Sequence, residues 1–119
     1  MKRILAVALL ATVTTVAGYA QTKPYKMSDD GVKAPVLIRE TKPKYPDEAK
    51  QRRVQGSVEV EAVVKTDGSV GDVTVTKSLD PQLDEAAVSA TKEWQFRPGT
   101  KDGKAVDVLV QIELTFTLK

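Results

Sequence analysis

The sequence predicts an α+β domain of two layers, with a three-stranded antiparallel sheet that has helices on one face. Two stretches that alternate apolar and polar residues follow each other and are joined by a tight turn at 66–69. A helical stretch separates them from a third alternating stretch, and a shorter helical stretch precedes them. Elements in the order α-β-β-α-β bury their apolar faces by forming layers, so we expect one sheet covered by both helices.

The N-terminal residues have the pattern of an export signal. Two basic residues precede an apolar stretch from Ile4 to Ala17, and small residues stand before a cleavage point after Ala20. A retained membrane helix is the alternative, because Ile4 to Ala20 is 17 residues, the lower limit of the roughly 17–25 that span a bilayer. The predicted parts are a signal peptide over 1–20, an extended lead segment over 21–42 and a folded domain over 43–119.

Residues 45–53 predict the first helix. Pro46 suits the first helical turn, where its missing N–H leaves no hydrogen bond unmade. Acidic residues follow it, and two arginines stand at the other end, which matches the helix dipole. We expect Gly56 to end this segment.

A β-hairpin is predicted next. Valine and alanine alternate with polar residues over 57–65, and Val70–Lys77 has a matching alternation. The connection between them contains Gly68, which adopts positive φ without strain, so the two strands should pair antiparallel.

The second helix should begin at Asp80 and Pro81, which are a favourable N-cap and first helical residue. Its apolar residues recur at helical spacing, and Pro98 prevents its continuation. The predicted buried stripe is Leu83, Ala86, Ala87, Ala90 and Trp94.

The last stretch, 106–118, has the strongest strand pattern. Apolar residues occupy every second position from Val106 to Leu118. This strand is longer than either hairpin strand, so part of it should lie at an edge of the sheet. An exposed edge can pair with another chain. The alternatives are that the lead segment around Val36–Ile38 covers the edge, or that a second copy of the protein does.

Composition excludes several classes of function. The chain has no Cys and no His, which removes disulfides and the commonest general base and zinc ligand. Lys2 and Arg3 account for the net charge of +2, so the chain without 1–20 is neutral. Its basic residues concentrate in 21–56 and its acidic residues in 57–119.

No group of residues predicts an active site. Glu59 and Glu61 should share one face of a strand, but their alternation with valine places them in solvent. Lys50, Arg52 and Arg53 are explained by the end of a helix. The polar face of the sheet is acidic, which disfavours nucleic acid. We therefore predict no enzyme, no catalytic residue, no metal, no cofactor and no small-molecule substrate.

Several short motifs, in order, resemble the C-terminal domain family of TonB, the bacterial energy transducer. The resemblance covers about 40–118, and it depends on the order of the motifs rather than on any one of them. The motifs are Pro43–Pro46 with Ala49, Val54–Val58, Asp67–Val70 with Val73, Leu83–Ala87, Trp94–Pro98 and Gly103–Val106.

The resemblance implies a periplasmic module that binds outer-membrane TonB-dependent receptors within energy-coupled transport. A short receptor segment, the TonB box, would add as a strand beside the last strand. The partner-binding residues implied by position are Lys42, Pro43, Tyr45, Pro46, Val106, Val108, Leu109, Val110, Gln111, Ile112 and Glu113. Full transducers also have a membrane helix, usually with a His, and a long Pro-rich linker. This chain has no His, and its lead segment is short and not Pro-rich. The alternatives are a short membrane-anchored transducer and a homodimer paired through the last strands.

Overall fold

The computed structural model describes residues 23–118. The predicted signal peptide over 1–20 lies outside these residues. Among the described residues, no helix has the length and hydrophobicity needed to cross a bilayer.

Nine strands and two helices form the described part of the chain. The strands are β1 (Tyr25–Lys26), β2 (Val32–Lys33), β3 (Val36–Arg39), β4 (Gly56–Val64), β5 (Val70–Lys77), β6 (Gln95–Arg97), β7 (Thr100–Lys101), β8 (Lys104–Ala105) and β9 (Val108–Phe116). The helices are α1 (Asp47–Gln51) and α2 (Pro81–Lys92).

The main sheet has the strand order β1-β9-β4-β5. Strand β4 pairs antiparallel with both β5 and β9, as the alternating patterns predict. The predicted count of three strands is wrong by one, because β1 adds to the sheet parallel to the start of β9. The predicted α+β fold class and the order of the main elements are confirmed.

Both helices lie on the same face of the main sheet. The inward residues of β4, which include Val58 and Val60, are fully buried. They share one core cluster with Ala49 of α1 and with Leu83 and Ala87 of α2. The other face of β4 and β9 is polar and partly exposed.

Both helices end earlier than the sequence predicts. Helix α1 ends at Gln51, and the left-handed residue after it is Arg53, with φ of 57°, rather than Gly56, which begins β4. Pro46 occupies the N-cap of α1 and not its first turn. Helix α2 ends at Lys92, so Trp94 lies beyond the helix but still fills the core at 8% exposure.

The turn between β4 and β5 has the predicted geometry. Gly68 has φ of +87°, and its N–H donates to the Lys65 carbonyl at 2.9 Å. The Ser69 hydroxyl and N–H both donate to the Asp67 carboxylate, and they lower the pKa of this carboxyl. The turn also contacts the body of the domain, since the Phe96 N–H donates to the Gly68 carbonyl at 2.9 Å.

The lead segment packs on the domain through three strands, of which β2 pairs antiparallel with β7. Strand β3 pairs with β6, away from β9, and β1 pairs with Val108 and Leu109 of β9. The alternative in which Val36–Ile38 covers the edge of the last strand is therefore wrong. The apolar side chains of β3 stay exposed.

Helix α2 is joined to α1 through its N-cap. The Asp80 carboxylate accepts hydrogen bonds from the N–H groups of Gln82 and Leu83. It also accepts from the Arg52 guanidinium, with Nη1 at 2.9 Å from Oδ1. This side-chain hydrogen bond from Arg52 is the main cause of the lowered pKa of Asp80.

We expect stability to fall in acid partly through Asp80. Because the folded pKa of Asp80 lies below its unfolded value of about 3.9, its contribution is complete above that value. The contribution is lost as the pH falls through the folded pKa. Urea unfolding from pH 7 to pH 2 measures this. The stability difference between wild type and D80N should be constant near neutrality and should shrink below about pH 4; a constant difference throughout would contradict the ion pair.

Candidate functional site

The open edge of β9 is the main candidate for an interaction site. Strand β1 covers only Val108 and Leu109 at this edge. Among residues 23–118, no strand pairs with the outer side of 110–116, whose inner side pairs with β4 along its whole length. We call residues 110–116 the free edge.

The hydrogen bond to β1 fixes which backbone groups face outward. The Tyr25 N–H donates to the Asp107 carbonyl at 2.9 Å, so the backbone of Asp107 points away from β4. Backbone groups of a strand alternate in direction from residue to residue. Gln111, Glu113 and Thr115 therefore present their N–H and C=O groups at the free edge, where a further strand can bind them.

A groove of about 410 Å³ runs beside the far end of the free edge. It lies between the last residues of β9 and the chain that enters α1, with Trp94 contributing from the turn after α2. Its lining residues are Glu40, Lys42, Pro43, Tyr45, Trp94, Glu113, Leu114, Thr115, Phe116 and Thr117.

Fixed aromatic side chains form the apolar part of this groove. The Tyr45 ring meets the Phe116 ring edge to face, with centroids 5.5 Å apart and planes at 81°. The Tyr45 hydroxyl donates to the Val54 carbonyl, and the Trp94 indole N–H donates to the Thr41 carbonyl at 2.8 Å. Both polar tips have partners, so the rings offer a preformed apolar surface to a side chain entering the groove.

Charged residues border the groove on both sides. Lys42 stands on the wall made by the lead segment, and Glu40 is two residues before it. Glu113 lies on β9, where its side chain is exposed. The groove therefore combines an apolar surface with charges of both signs at its border.

The outer face of the sheet, turned away from the helices, is acidic beside the free edge. Glu59 of β4 is directly opposite Glu113 of β9, and Glu61 is opposite Gln111. The Gln111 amide donates to the Glu61 carboxylate at 3.3 Å. Ser57 and Thr115 form a hydroxyl–hydroxyl hydrogen bond of 3.0 Å across the same two strands.

The structure brings part of the predicted site together and separates the rest. Lys42, Pro43, Tyr45 and Glu113 line the groove. Val110, Gln111 and Ile112 lie on the free edge next to it, whereas β1 covers the edge at Val108 and Leu109. Val106 precedes β9 and donates its N–H to the Gly99 carbonyl.

Pro46 does not line this groove and lies at a second one. It lines this second groove, of about 440 Å³, together with Lys42, Lys44 and residues of α2. Sequence reasoning missed Trp94 as a groove residue. The sequence pattern places Trp94 in the core, and only a tertiary contact, from its indole N–H to the Thr41 carbonyl, brings it beside 41–45.

Comparison with known proteins agrees with the fold described above. The family described as Gram-negative bacterial TonB protein C-terminal matches residues 41–118. Protein tonB2 of Pseudomonas aeruginosa is 38% identical over 77 residues, which cover 64% of this chain and 28% of that protein. Protein TonB of Xanthomonas campestris is 36% identical over 77 residues, which cover 64% of this chain and 34% of that protein.

A solved structure also matches the fold. The solution structure of the Pseudomonas aeruginosa TonB C-terminal domain superposes with a TM-score of 0.57 at 24% identity, covering 79% of this chain and 93% of that one. The chain spans about a third of the length of the curated relatives it matches.

Proposed function

Because this chain belongs to the family of TonB C-terminal domains, we propose that it binds a segment of an outer-membrane TonB-dependent receptor by strand addition at the free edge. The observation that carries the proposal is that edge itself, with outward backbone groups at Gln111, Glu113 and Thr115. A strand added there makes main-chain hydrogen bonds, each with a net value of about 0.5–1.5 kcal/mol.

The groove supplies the selectivity in this proposal. Side chains of an added strand point alternately to the two faces of the sheet. Those on the inner face would lie beside Ile112 and Leu114 and enter the groove over Tyr45 and Phe116. Lys42 and Pro43, which line the groove wall, would contact the bound segment from the lead-segment side.

The proposal places the domain in the periplasm, within energy-coupled transport across the outer membrane. A signal peptide over 1–20 would be removed on export, which leaves a binding module that begins at Gln21. A short anchored transducer would instead retain these residues. Mass spectrometry of the native N-terminus distinguishes the two: a chain beginning at Gln21 supports the module, and a chain that retains 1–20 supports the transducer.

The same free edge favours one other candidate, a homodimer paired through β9. Sedimentation over a range of protein concentrations tests it. A concentration-dependent dimer that receptor segments dissociate would show that both use the edge, whereas a monomer at all concentrations would argue against the homodimer.

Replacing Thr115 with proline is expected to weaken receptor binding at least tenfold. Proline removes an N–H that faces outward, and the hydrogen bonds to β4 use the neighbouring residues, so the sheet should persist. The measurement is calorimetric titration with the periplasmic plug segments of receptors from the same bacterium. Thr115→Val, which keeps the N–H, is the matched control and should bind within about threefold of wild type. Unchanged binding by Thr115→Pro would exclude strand addition at this position.

A further inference from the structure

Charged residues on the outer face of the sheet form a row that crosses three strands and stops at the free edge. At one level of the sheet, Lys77 of β5, Glu59 of β4 and Glu113 of β9 are successive register partners. Directly opposed side chains of neighbouring strands lie about 5 Å apart on the same face, and like charges placed so are destabilising. The order towards the edge is therefore cation, anion, anion.

Glu113 is the carboxylate of this row that has no cationic register partner. Glu59 has Lys77 on its other side, and Glu61 has the Gln111 amide. The two ion pairs within residues 23–118, Arg52–Asp80 and Lys101–Asp102, do not involve Glu113. The side of Glu113 away from β4 is the position that an added strand would fill.

Strand β1, which already pairs with β9 at this edge, has a cation on the outer face of the sheet. In β1, Lys26 is the register partner of Leu109, whose side chain is on the outer face, and Tyr25 is the partner of the inward Val108. Tyr25 also lies against the Lys101 ammonium, 5.8 Å from its ring centroid. The edge thus already accepts a strand with an apolar ring inward and a lysine outward.

From this pattern we propose that the receptor segment captured at the free edge has a lysine or arginine on its outward side, directly beside Glu113, and apolar residues on its inward side. This inference rests on the strand-addition function proposed above and identifies the chemistry of its partner. With the added cation, each of the two adjacent carboxylates has one cationic register neighbour: Lys77 beside Glu59, and the new cation beside Glu113. A second copy of β9 lacks such a group, since β9 contains no Lys or Arg.

Three synthetic peptides test the charge requirement. Each is a nine-residue peptide with a soluble Gly-Ser tail. Valine and threonine alternate along the nine residues, and the sequence of these residues is palindromic. The central, outward residue is lysine, glutamine or glutamate. Binding to the purified protein is measured by fluorescence anisotropy at low salt, with amide shifts of β9 recorded by NMR to locate the peptide.

The lysine peptide should bind about three- to tenfold more tightly than the glutamate peptide, with glutamine between them. Raising the salt concentration should narrow this ratio, because Glu113 is exposed. Glu113→Lys should reverse the order of the peptides. Asp72→Lys, the same charge change on β5 at the opposite edge of the sheet, should leave the order unchanged and serves as the matched control.

The outcomes separate this inference from the function on which it rests. Equal affinity for the three peptides, with amide shifts at the free edge, would overturn the charge requirement and leave strand addition standing. Tighter binding of the glutamate peptide would also overturn it. Absence of shifts on β9 with every peptide would contradict both.

Discussion

Replacing Gly68 with alanine is expected to lower the free energy of unfolding by about 3 kcal/mol. Gly68 has φ of +87°, which strains a residue with a Cβ atom. A Cβ built there would lie 2.0 Å from the Phe96 carbonyl oxygen, which belongs to the backbone and has little freedom to move. The substitution would therefore separate the β4–β5 turn from β6. Urea unfolding at neutral pH measures the loss.

Gly103 provides the matched control for this prediction. It has the same φ of +87°, but a Cβ there would have no heavy atom within 4 Å. Gly103→Ala should lower the free energy of unfolding only by the cost of a left-handed backbone conformation in alanine, about 1–2 kcal/mol. If the two variants lose equal stability, then the close approach of the turn to Phe96 contributes nothing.

Phe116→Ala is expected to remove about 3–5 kcal/mol of stability and to weaken binding of receptor segments. Phe116 is 3% exposed, and its ring packs on Tyr45 with 5.5 Å between centroids. The substitution leaves a cavity in the core and also removes part of the groove surface. Since a domain of this size is stable by about 5–15 kcal/mol, a large fraction of the protein would unfold at moderate temperature.

Tyr45→Phe separates the ring from its hydroxyl. It keeps the contact with Phe116 and loses the hydrogen bond to the Val54 carbonyl, so it should cost about 1 kcal/mol. Thermal unfolding of both variants tests the comparison. A loss by Tyr45→Phe as large as that by Phe116→Ala would show that the hydroxyl, and not the ring pair, holds this part of the core.

The strands of the main sheet were predictable because one of their faces is buried. Burial of alternate residues gives β4 and β9 a period of two, and the short turn at Gly68 fixes the pairing of β4 with β5. The start of α2 was predictable as well, since the Asp80 side chain accepts hydrogen bonds from its first N–H groups and Pro81 has no N–H that needs an acceptor. These signals are local, so the sequence alone contains them.

The groove and the place of β1 could not be predicted in this way. Tyr25 and Lys26 pair with Val108 and Leu109 across more than 80 residues of sequence, and nothing in their pattern indicates a strand. Trp94 reaches the groove because its indole N–H binds the Thr41 carbonyl, a contact that depends on the whole fold. The left-handed Arg53 was missed because glycine is the usual residue at such a position.

The proposal that β9 accepts a receptor strand is tested most directly by hydrogen exchange of its amides, measured by NMR with and without a receptor plug segment. The amides of Ile112 and Leu114 face β4 and should be protected in both states. Those of Gln111, Glu113 and Thr115 should exchange freely alone and at least tenfold more slowly in the complex. A segment that binds while these three amides stay unprotected, or that protects residues of α2 instead, would contradict strand addition at this edge.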